Sequence, residues 1–385
     1  MNFQTLLVHG YGEADPSYNA VSLPIYLTTT YRQQKFCEHE KFTYSRGANP
    51  TRQYLESLIA QMEGGKFGFA FSSGMAASAA ALAALHTGDR VLVTKNIYGG
   101  TLGLLTNFYS DFGLSYGFAD TGNIEKLEEA FDEKTKAVFI ETPSNPLLDV
   151  TDIEAVSALA HKHGAITIVD NTFLSPYLQR PLELGADIVV ESATKFLSGH
   201  SDVIAGIAAV NDEKLAGKVG AFQRLAGGIA QPFDSYLIVR GIKTLGVRID
   251  RQTENAGKIA VFLSKEPAVQ KLYYPGLPDH PGYAVNRRQS KGPGSMLSFD
   301  LSPGYDTAAF FDSLELLAVG ASLGSVETLV QHPATGSHSN FTPEQRREAG
   351  IGDRLVRISA GIEDSGDIIE DLRRAFAQSK GDNHA

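Results

Sequence analysis

Cysteine is almost absent: the 385 residues hold one, Cys37. That excludes an internal disulfide and any metal site built on a cysteine cluster, and it fits a reducing compartment. Basic charge is scarce too, with 34 Lys and Arg against 44 Asp and Glu and a net charge of −10. A nucleic-acid binder needs a basic face to displace counterions from phosphates, so no nucleic-acid partner is expected. Long apolar runs are missing. The longest bland stretch, Met75 to Leu85, is Ala-rich and falls short of the roughly 18 residues that cross a bilayer, so it reads as a core helix and no membrane partner is expected. The first residues lack the basic start and long apolar core of a secretory signal, and no repeat or low-complexity segment is visible. The expected location is the cytoplasm. Apolar residues make up 43% of the chain, enough for a large core in one big domain beside a smaller one.

What is present centres on Asp187 to His200. Ile188-Val189-Val190 is an apolar run that suits a buried strand, and a lone lysine, Lys195, follows it among Ser192, Ala193, Thr194, Phe196 and Gly199. Lysines rarely sit among small and apolar neighbours unless the amine is used. A partly desolvated amine has a lowered pKa and can serve as nucleophile and then as base, which points to an aldehyde cofactor held as a Schiff base, pyridoxal phosphate (PLP).

Upstream, residues 1 to about 45 are irregular and read as an arm. Tyr44 and Arg46 lie in a loop rich in Gly, Asn and Pro, where a guanidinium can grip a phosphate; a solvated turn arginine is the plainer alternative. Phe67 to Phe71 alternates like a strand and runs through Ser72-Ser73-Gly74-Met75-Ala76 into the Ala-rich helix. That turn can hold an anion on free backbone N–H groups, or serve packing alone; without G-x-G-x-x-G or G-K-[ST] it suits a single phosphate better than a nucleotide. Arg90 to Thr94 is a strand leading to Tyr98, placed to stack on an aromatic ligand or to fill a rim. Lys136 to Glu141 is another, followed by Asn145 between two prolines, whose amide could meet a ring oxygen or a carboxylate.

Asp152 to His163 reads as a helix in which His161 and His163 point apart, so no zinc site is expected. Ala165 to Val169 is a buried strand that delivers Asp170 at its carboxyl end. The carboxylate there can keep a pyridine nitrogen protonated, or simply cap a helix. One crossover separates Asp170 from Lys195, which places both at the same sheet rim. Ser201 to Val210 reads as a strand, Pro232 to about Leu263 as one long helix, and the remainder as strands (Ser295 to Leu301, Leu355 to Ser359) alternating with helices (Asp306 to Leu317, Gly366 to Ala377). Arg357 in mid-strand needs a carboxylate, supplied by an amino-acid substrate or by a structural ion pair.

These signals come in the order of a fold type I, aspartate-aminotransferase-like PLP enzyme. The strings Thr43-Tyr44-Ser45-Arg46, Asn96-Ile97-Tyr98-Gly99-Gly100-Thr101, Glu141-Thr142-Pro143-Ser144-Asn145-Pro146, Val169-Asp170-Asn171-Thr172, Ser192-Ala193-Thr194-Lys195 and Ser322-Leu323-Gly324-Ser325 resemble the cystathionine γ-synthase, cystathionine lyase and methionine γ-lyase family. The resemblance runs from about residue 5 to about residue 378.

It implies a large, mostly parallel α/β sheet domain over 46–244, a C-terminal α+β domain over 245–385, and an arm over 1–45 that serves a neighbouring subunit. It implies roles as well. Lys195 resembles the Schiff-base lysine and proton shuttle, Asp170 the partner of the pyridine nitrogen, and Tyr98 the ring stacker that assists catalysis. Gly74, Met75, Ser192 and Thr194 resemble the phosphate cradle. Tyr44 and Arg46 resemble the pair lent to a neighbour's phosphate, which implies a homodimer with shared sites, and tetramers are usual in the family. Asn145, Ser322 and Arg357 resemble the contacts to the substrate and its α-carboxylate.

The chain also departs from each subfamily. Gly103 stands where cystathionine γ-synthases and γ-lyases tend to have Arg, and Ala321 where they tend to have Glu. Gly100 replaces the usual methionine γ-lyase Cys, Gln223-Arg224 its Lys-Asp pair, and Ala334 to His338 its Ser/Thr-Met-Thr-His pattern. The expectation is a PLP-dependent carbon–sulfur lyase of methionine, cystathionine or a related thioether amino acid. The alternatives are a γ-replacement synthase acting on an activated homoserine and, from another class, a non-catalytic binding protein on this fold.

Overall fold

The computed structural model describes residues 1–10, 18–36, 41–339 and 341–381; Cys37 lies outside them. Seven strands, β1 (Phe67–Phe71), β2 (Arg90–Thr94), β3 (Ser115–Ala119), β4 (Thr135–Glu141), β5 (Ile166–Asp170), β6 (Ile188–Glu191) and β7 (Gly206–Val210), form one sheet in the order β1-β7-β6-β5-β4-β2-β3. Their sequences are apolar on both faces because helices cover both. On one side Leu55, Leu58, Val156, Val169, Val189, Ile238 and Ile249 share a core, and on the other Ala77, Ala80, Leu105, Ile168, Val190 and Val219 share another. Only β7 runs against its neighbours. The carboxyl ends of β4, β5 and β6 therefore meet at one rim, with Glu141 opposite Asp170 and Asp170 opposite Val190.

A second sheet, β8 (Val269–Tyr273), β9 (Met296–Leu301), β10 (Ala318–Val319), β11 (Leu329–Gln331) and β12 (Leu355–Ser359), has the order β10-β11-β12-β9-β8 and is antiparallel except for β10 and β11. Its core gathers Leu263, Phe299, Phe310, Ile358 and Leu372. Leu245 and Ile249 of the helix Leu245–Leu263 belong to the first core, and Ala256, Ile259 and Leu263 to this one. Among the described residues no helix is long and apolar enough to cross a membrane.

Four local expectations need correction. The arm contains a helix, Phe3–His9, capped by the Asn2 side chain and anchored by buried Leu6 and Leu7; it is too short to show a period. The long helix is two, Pro232–Ile242 and Leu245–Leu263. At Gly241 the first of them presses on the chain after Lys195, where an added Cβ would lie 2.3 Å from the Ser198 carbonyl oxygen. Of Ser201 to Val210 only Gly206–Val210 is a strand, because the preceding residues carry the chain from the Lys195 loop to the sheet. Of Asp306 to Leu317 only Thr307–Asp312 is helical, and beyond it the N–H groups of Glu315, Leu316 and Leu317 turn to the Asp371 carboxylate.

Candidate active site

Lys195 lies in the turn after β6, and its Nζ donates to Ser322 Oγ at 2.7 Å. Burial, and then the nearby Arg357 charge, pull the amine down to about 8. Ser322 has φ of 93°, a conformation that costs a side-chain-bearing residue about 1–3 kcal/mol and persists where its surroundings enforce it. The enforcement is visible: next but one, the Gly324 N–H donates to Ser359 Oγ at 2.8 Å, and a Cβ on Gly324 would lie 2.7 Å from the Phe196 nitrogen. Arg248 holds the lysine loop from behind, donating to the carbonyls of Phe196 at 2.9 Å and Gly241 at 2.9 Å.

Arg357, on β12, is fully enclosed. It donates through Nη1 to Asn145 Oδ1 at 2.7 Å and through Nη2 to the Ser322 carbonyl at 2.9 Å. Burial lowers it to about 10, against the pull of Glu141 and Tyr98. Glu141 in turn accepts from the Asn145 N–H at 3.0 Å and the Tyr98 N–H at 2.8 Å. Burial first, and then the Asp170 charge, raise Glu141 well above the usual carboxylate range. Lys195, Ser322, Arg357, Asn145, Glu141 and Tyr98 thus form one connected path. The prolyl bonds Thr142–Pro143 and Asn145–Pro146 on either side of Asn145 are cis.

Asp170 ends β5 beside the strand that leads to Lys195. Thr172 donates to its Oδ1 from N at 3.0 Å and from Oγ1 at 2.5 Å, and the Thr172 hydroxyl also accepts the Ser192 N–H at 2.9 Å. Burial raises Asp170, while the Thr172 bonds act in the opposite direction. This carboxylate is fixed by donors and, among the described residues, takes no hydrogen bond from a cationic side chain, a setting suited to a protonated ring nitrogen.

The helix Gly74–Leu82 opens with Ser73 as its cap: Ser73 Oγ accepts the Ala76 N–H at 3.1 Å, and the first-turn N–H groups of Gly74 and Met75 have no acceptor within the helix. Ser192 closes over this end, so that a Cβ on Gly74 would lie 2.9 Å from Ser192 Cβ. A backbone cradle that only glycine permits, at a helix start and beside a serine hydroxyl, fits a phosphate. Thr194 Oγ1 bonds both ways with the Ala205 backbone, at 3.1 Å and 3.0 Å, tying the lysine turn to the entry of β7. Tyr98 precedes the helix Gly99–Asn107 and is 41% exposed. A Cβ on Gly100 would lie 2.5 Å from that ring and 2.8 Å from Met75 Sδ, which joins the two turns. Taken together, these residues fit PLP: an anion cradle, an exposed ring face, a held carboxylate and a depressed lysine surround one rim.

Tyr44 and Arg46 are turned elsewhere in the single chain. Arg46 Nη1 donates to the Arg224 carbonyl at 2.8 Å, its guanidinium lies 5.6 Å from the Tyr44 ring, and Tyr44 is half exposed. Gln223 is buried and donates to Glu56 Oε1 and the Ala70 carbonyl. A Cβ on Gly103 would meet only the Asn107 Nδ2, at 3.8 Å. His338 is fully buried, bonded through Nδ1 to Ser337 Oγ at 2.9 Å, and lowered to about 4 by burial and then by Arg357.

Sequence reasoning passed over Glu141, Thr172 and Arg248. Glu141 carries the same signal as Asp170, a carboxylate ending a buried apolar strand, and could have been found by it. Arg248 gave no local sign, since the lysine-loop carbonyl it takes, that of Phe196, lies far off in the sequence.

A family model for Cys/Met metabolism PLP-dependent enzymes matches residues 4–377. The chain is 46% identical over 376 residues to the cystathionine gamma-lyase of Bacillus subtilis (strain 168), covering 98% of this chain and 99% of that protein. It is 45% identical over 375 residues to the cystathionine beta-lyase of Lactococcus lactis subsp. cremoris (strain MG1363), covering 97% and 99%. Among solved structures, cystathionine gamma-lyase from Lactobacillus plantarum complexed with L-serine superposes with a TM-score of 0.96 at 42% identity, covering 98% of this chain and 99% of that one. Cystathionine gamma synthase from Xanthomonas oryzae pv. oryzae in complex with cystathionine gives 0.96 at 40% identity, covering 98% of each.

Proposed function

Because this chain belongs to the family of Cys/Met metabolism PLP-dependent enzymes, we propose that it is a carbon–sulfur lyase of thioether amino acids, with cystathionine as its leading substrate. The observation that carries this reading is the sharing of Ser322: the same residue takes the Lys195 amine on its hydroxyl and an Arg357 nitrogen on its carbonyl. A base drawn down to about 8 and a carboxylate-binding guanidinium are thereby held in fixed relation, as removal of a proton next to a carboxylate requires.

When bound, PLP supplies an aldehyde for the amino group and a pyridinium ring that absorbs the negative charge left at the carbon. The N–H groups of Gly74 and Met75 with Ser192, and Thr194 beside them, would hold its phosphate. Tyr98 would cover the ring, and Asp170, kept in place by Thr172, would keep the ring nitrogen protonated. Arg357 and Asn145 take the α-carboxylate. Lys195 removes the proton at the α-carbon and returns it, directly or with Tyr98, where the sulfur departs. Tyr44 and Arg46 reach the phosphate of a neighbouring subunit, in at least a dimer and in the family's usual arrangement a tetramer. With glycine at position 103 and alanine at position 321, neither residue brings a charged side chain to grip the far end of the substrate.

Purified protein given L-cystathionine and L-methionine separately, with the released 2-oxo acid identified by mass, tests this. Pyruvate from cystathionine means cleavage at the β-carbon, oxobutyrate means cleavage at the γ-carbon, and oxobutyrate from methionine extends the range to methyl thioethers. A yellow protein that releases neither acid, and instead joins an activated homoserine to cysteine, overturns the lyase reading in favour of γ-replacement.

A further inference from the structure

Glu63 ends the helix Pro50–Glu63 and Glu191 ends β6, and both side chains are buried, at 0% and 2% exposure. The two carboxyls are in hydrogen-bonding contact with each other. Two carboxylates have no proton to put into such a contact, and among the described residues Glu63 Oε2 and Glu191 Oε1 find no other partner. Asn171 Nδ2 reaches the remaining Glu63 oxygen at 3.5 Å. Arg180, whose charge is felt at Glu63, donates its Nη1 to Glu183 at 2.5 Å. Bare like charges this deep are prohibitively costly, whereas one proton between them turns the contact into a charge-assisted hydrogen bond.

We propose that Glu63 and Glu191 share one proton and act as a positioning pair for Asp170, tying the end of a helix to the end of β6 and leaving a single negative charge behind that carboxylate. The inference rests on the assignment of Asp170 to the cofactor's ring nitrogen. Asn171 links the two places, because it follows Asp170 in the chain and its amide bonds both Glu63 and the Gln179 carbonyl. The charged groups facing the pair are Asp170 from β5 and Arg180 and Glu183 from the turn beside the helix end. β1 and β7 carry no titratable side chain. Burial raises both glutamates, and Glu191 is raised further by Glu63 and Asp170 while the contact with Glu191 lowers Glu63, so Glu191 is the donor and Glu63 the acceptor.

A carboxyl whose proton affinity is raised by folding stabilises the protein at low pH, and that contribution is lost as pH rises through the raised value. Glu191→Gln replaces the titrating donor by a permanent one and keeps the single charge. The melting temperature of this holoenzyme variant minus that of the wild type therefore grows as pH is raised from about 6 to about 9. The double variant Glu63→Gln with Glu191→Gln removes the charge. The pH titration of the bound cofactor's absorption band then moves to lower pH by roughly half a unit to one unit, while Glu191→Gln alone leaves it in place. If Glu191→Gln folds poorly, Glu63→Gln retains one donor and one carboxylate and serves the same comparison.

Parallel melting curves across pH, or a double variant that titrates like the wild type, overturn the proposal. Loss of the lyase reading would appear instead as a wild type that cleaves no thioether, and it leaves both measurements readable, since they require only bound cofactor.

Discussion

Ser322 does two things at once: its hydroxyl holds the Lys195 amine, and its backbone occupies φ of 93°. Replacing it by alanine or by glycine separates the two. Either change removes the acceptor from a charged donor, worth about 1.5–3 kcal/mol, so both variants should lose roughly 10- to 100-fold in kcat/KM for 2-oxo acid release. The hydroxyl favours the ammonium form, so its loss lowers the amine's proton affinity further. A lysine acting as base must be unprotonated, and the acid limb of the pH–rate profile therefore moves to lower pH in both variants.

Stability splits them. Alanine keeps the unfavourable φ, whereas glycine relieves about 1–3 kcal/mol of strain and gives back about 0.4–1 kcal/mol through the freedom it adds to the unfolded chain. Chemical denaturation should place the glycine variant above the alanine variant by about 1 kcal/mol. Full activity with an unshifted limb refutes the proposed link between Ser322 and Lys195, and a glycine variant less stable than the alanine one refutes the strain.

Thr172→Val removes two hydrogen bonds, one to Asp170 and one from Ser192. It should cost about 30-fold in kcat at roughly 1 kcal/mol per bond, and because Thr172 lowers the Asp170 pKa, the acid limb should move to higher pH. Gly100→Ala places a Cβ against the Tyr98 ring and Met75 Sδ. Overpacking of about 1–3 kcal/mol should weaken cofactor binding on the order of 10-fold, read by reconstitution of the apoenzyme. Arg46→Ala and Lys195→Ala subunits, each inactive alone, should recover activity when unfolded together and reassembled if the arm serves a neighbour; mixtures that stay inactive refute the shared site.

The central strands are legible because β2, β5 and β6 are short apolar runs followed by a chemically distinctive residue, Tyr98, Asp170 and Lys195, whereas β3 (Ser115–Ala119), a half-exposed edge strand, shows no such run and is not read from the sequence. What escaped was set by contacts distant in sequence. Nothing between Ile242 and Leu245 breaks a helix by propensity. The break comes with the seating of Gly241 on the Ser198 carbonyl and the reach of Arg248 back to Phe196. The helix Phe3–His9 is held by Leu6 and Leu7 in the main core, and an amphipathic pattern needs more turns than it has. Glu191 carries no sequence sign of its role, because its partner Glu63 closes a helix far earlier in the chain.

The helix Leu245–Leu263 carries a consequence for how the chain comes apart. Its first half is part of one core and its second half part of the other. Severing the chain at Lys243–Thr244, where the helices part, would strand Leu245 and Ile249 on the wrong fragment and open the large core along a whole helical stripe. The two sheets are therefore expected to melt as a single cooperative unit, and neither half is a self-sufficient module to be expressed or exchanged alone.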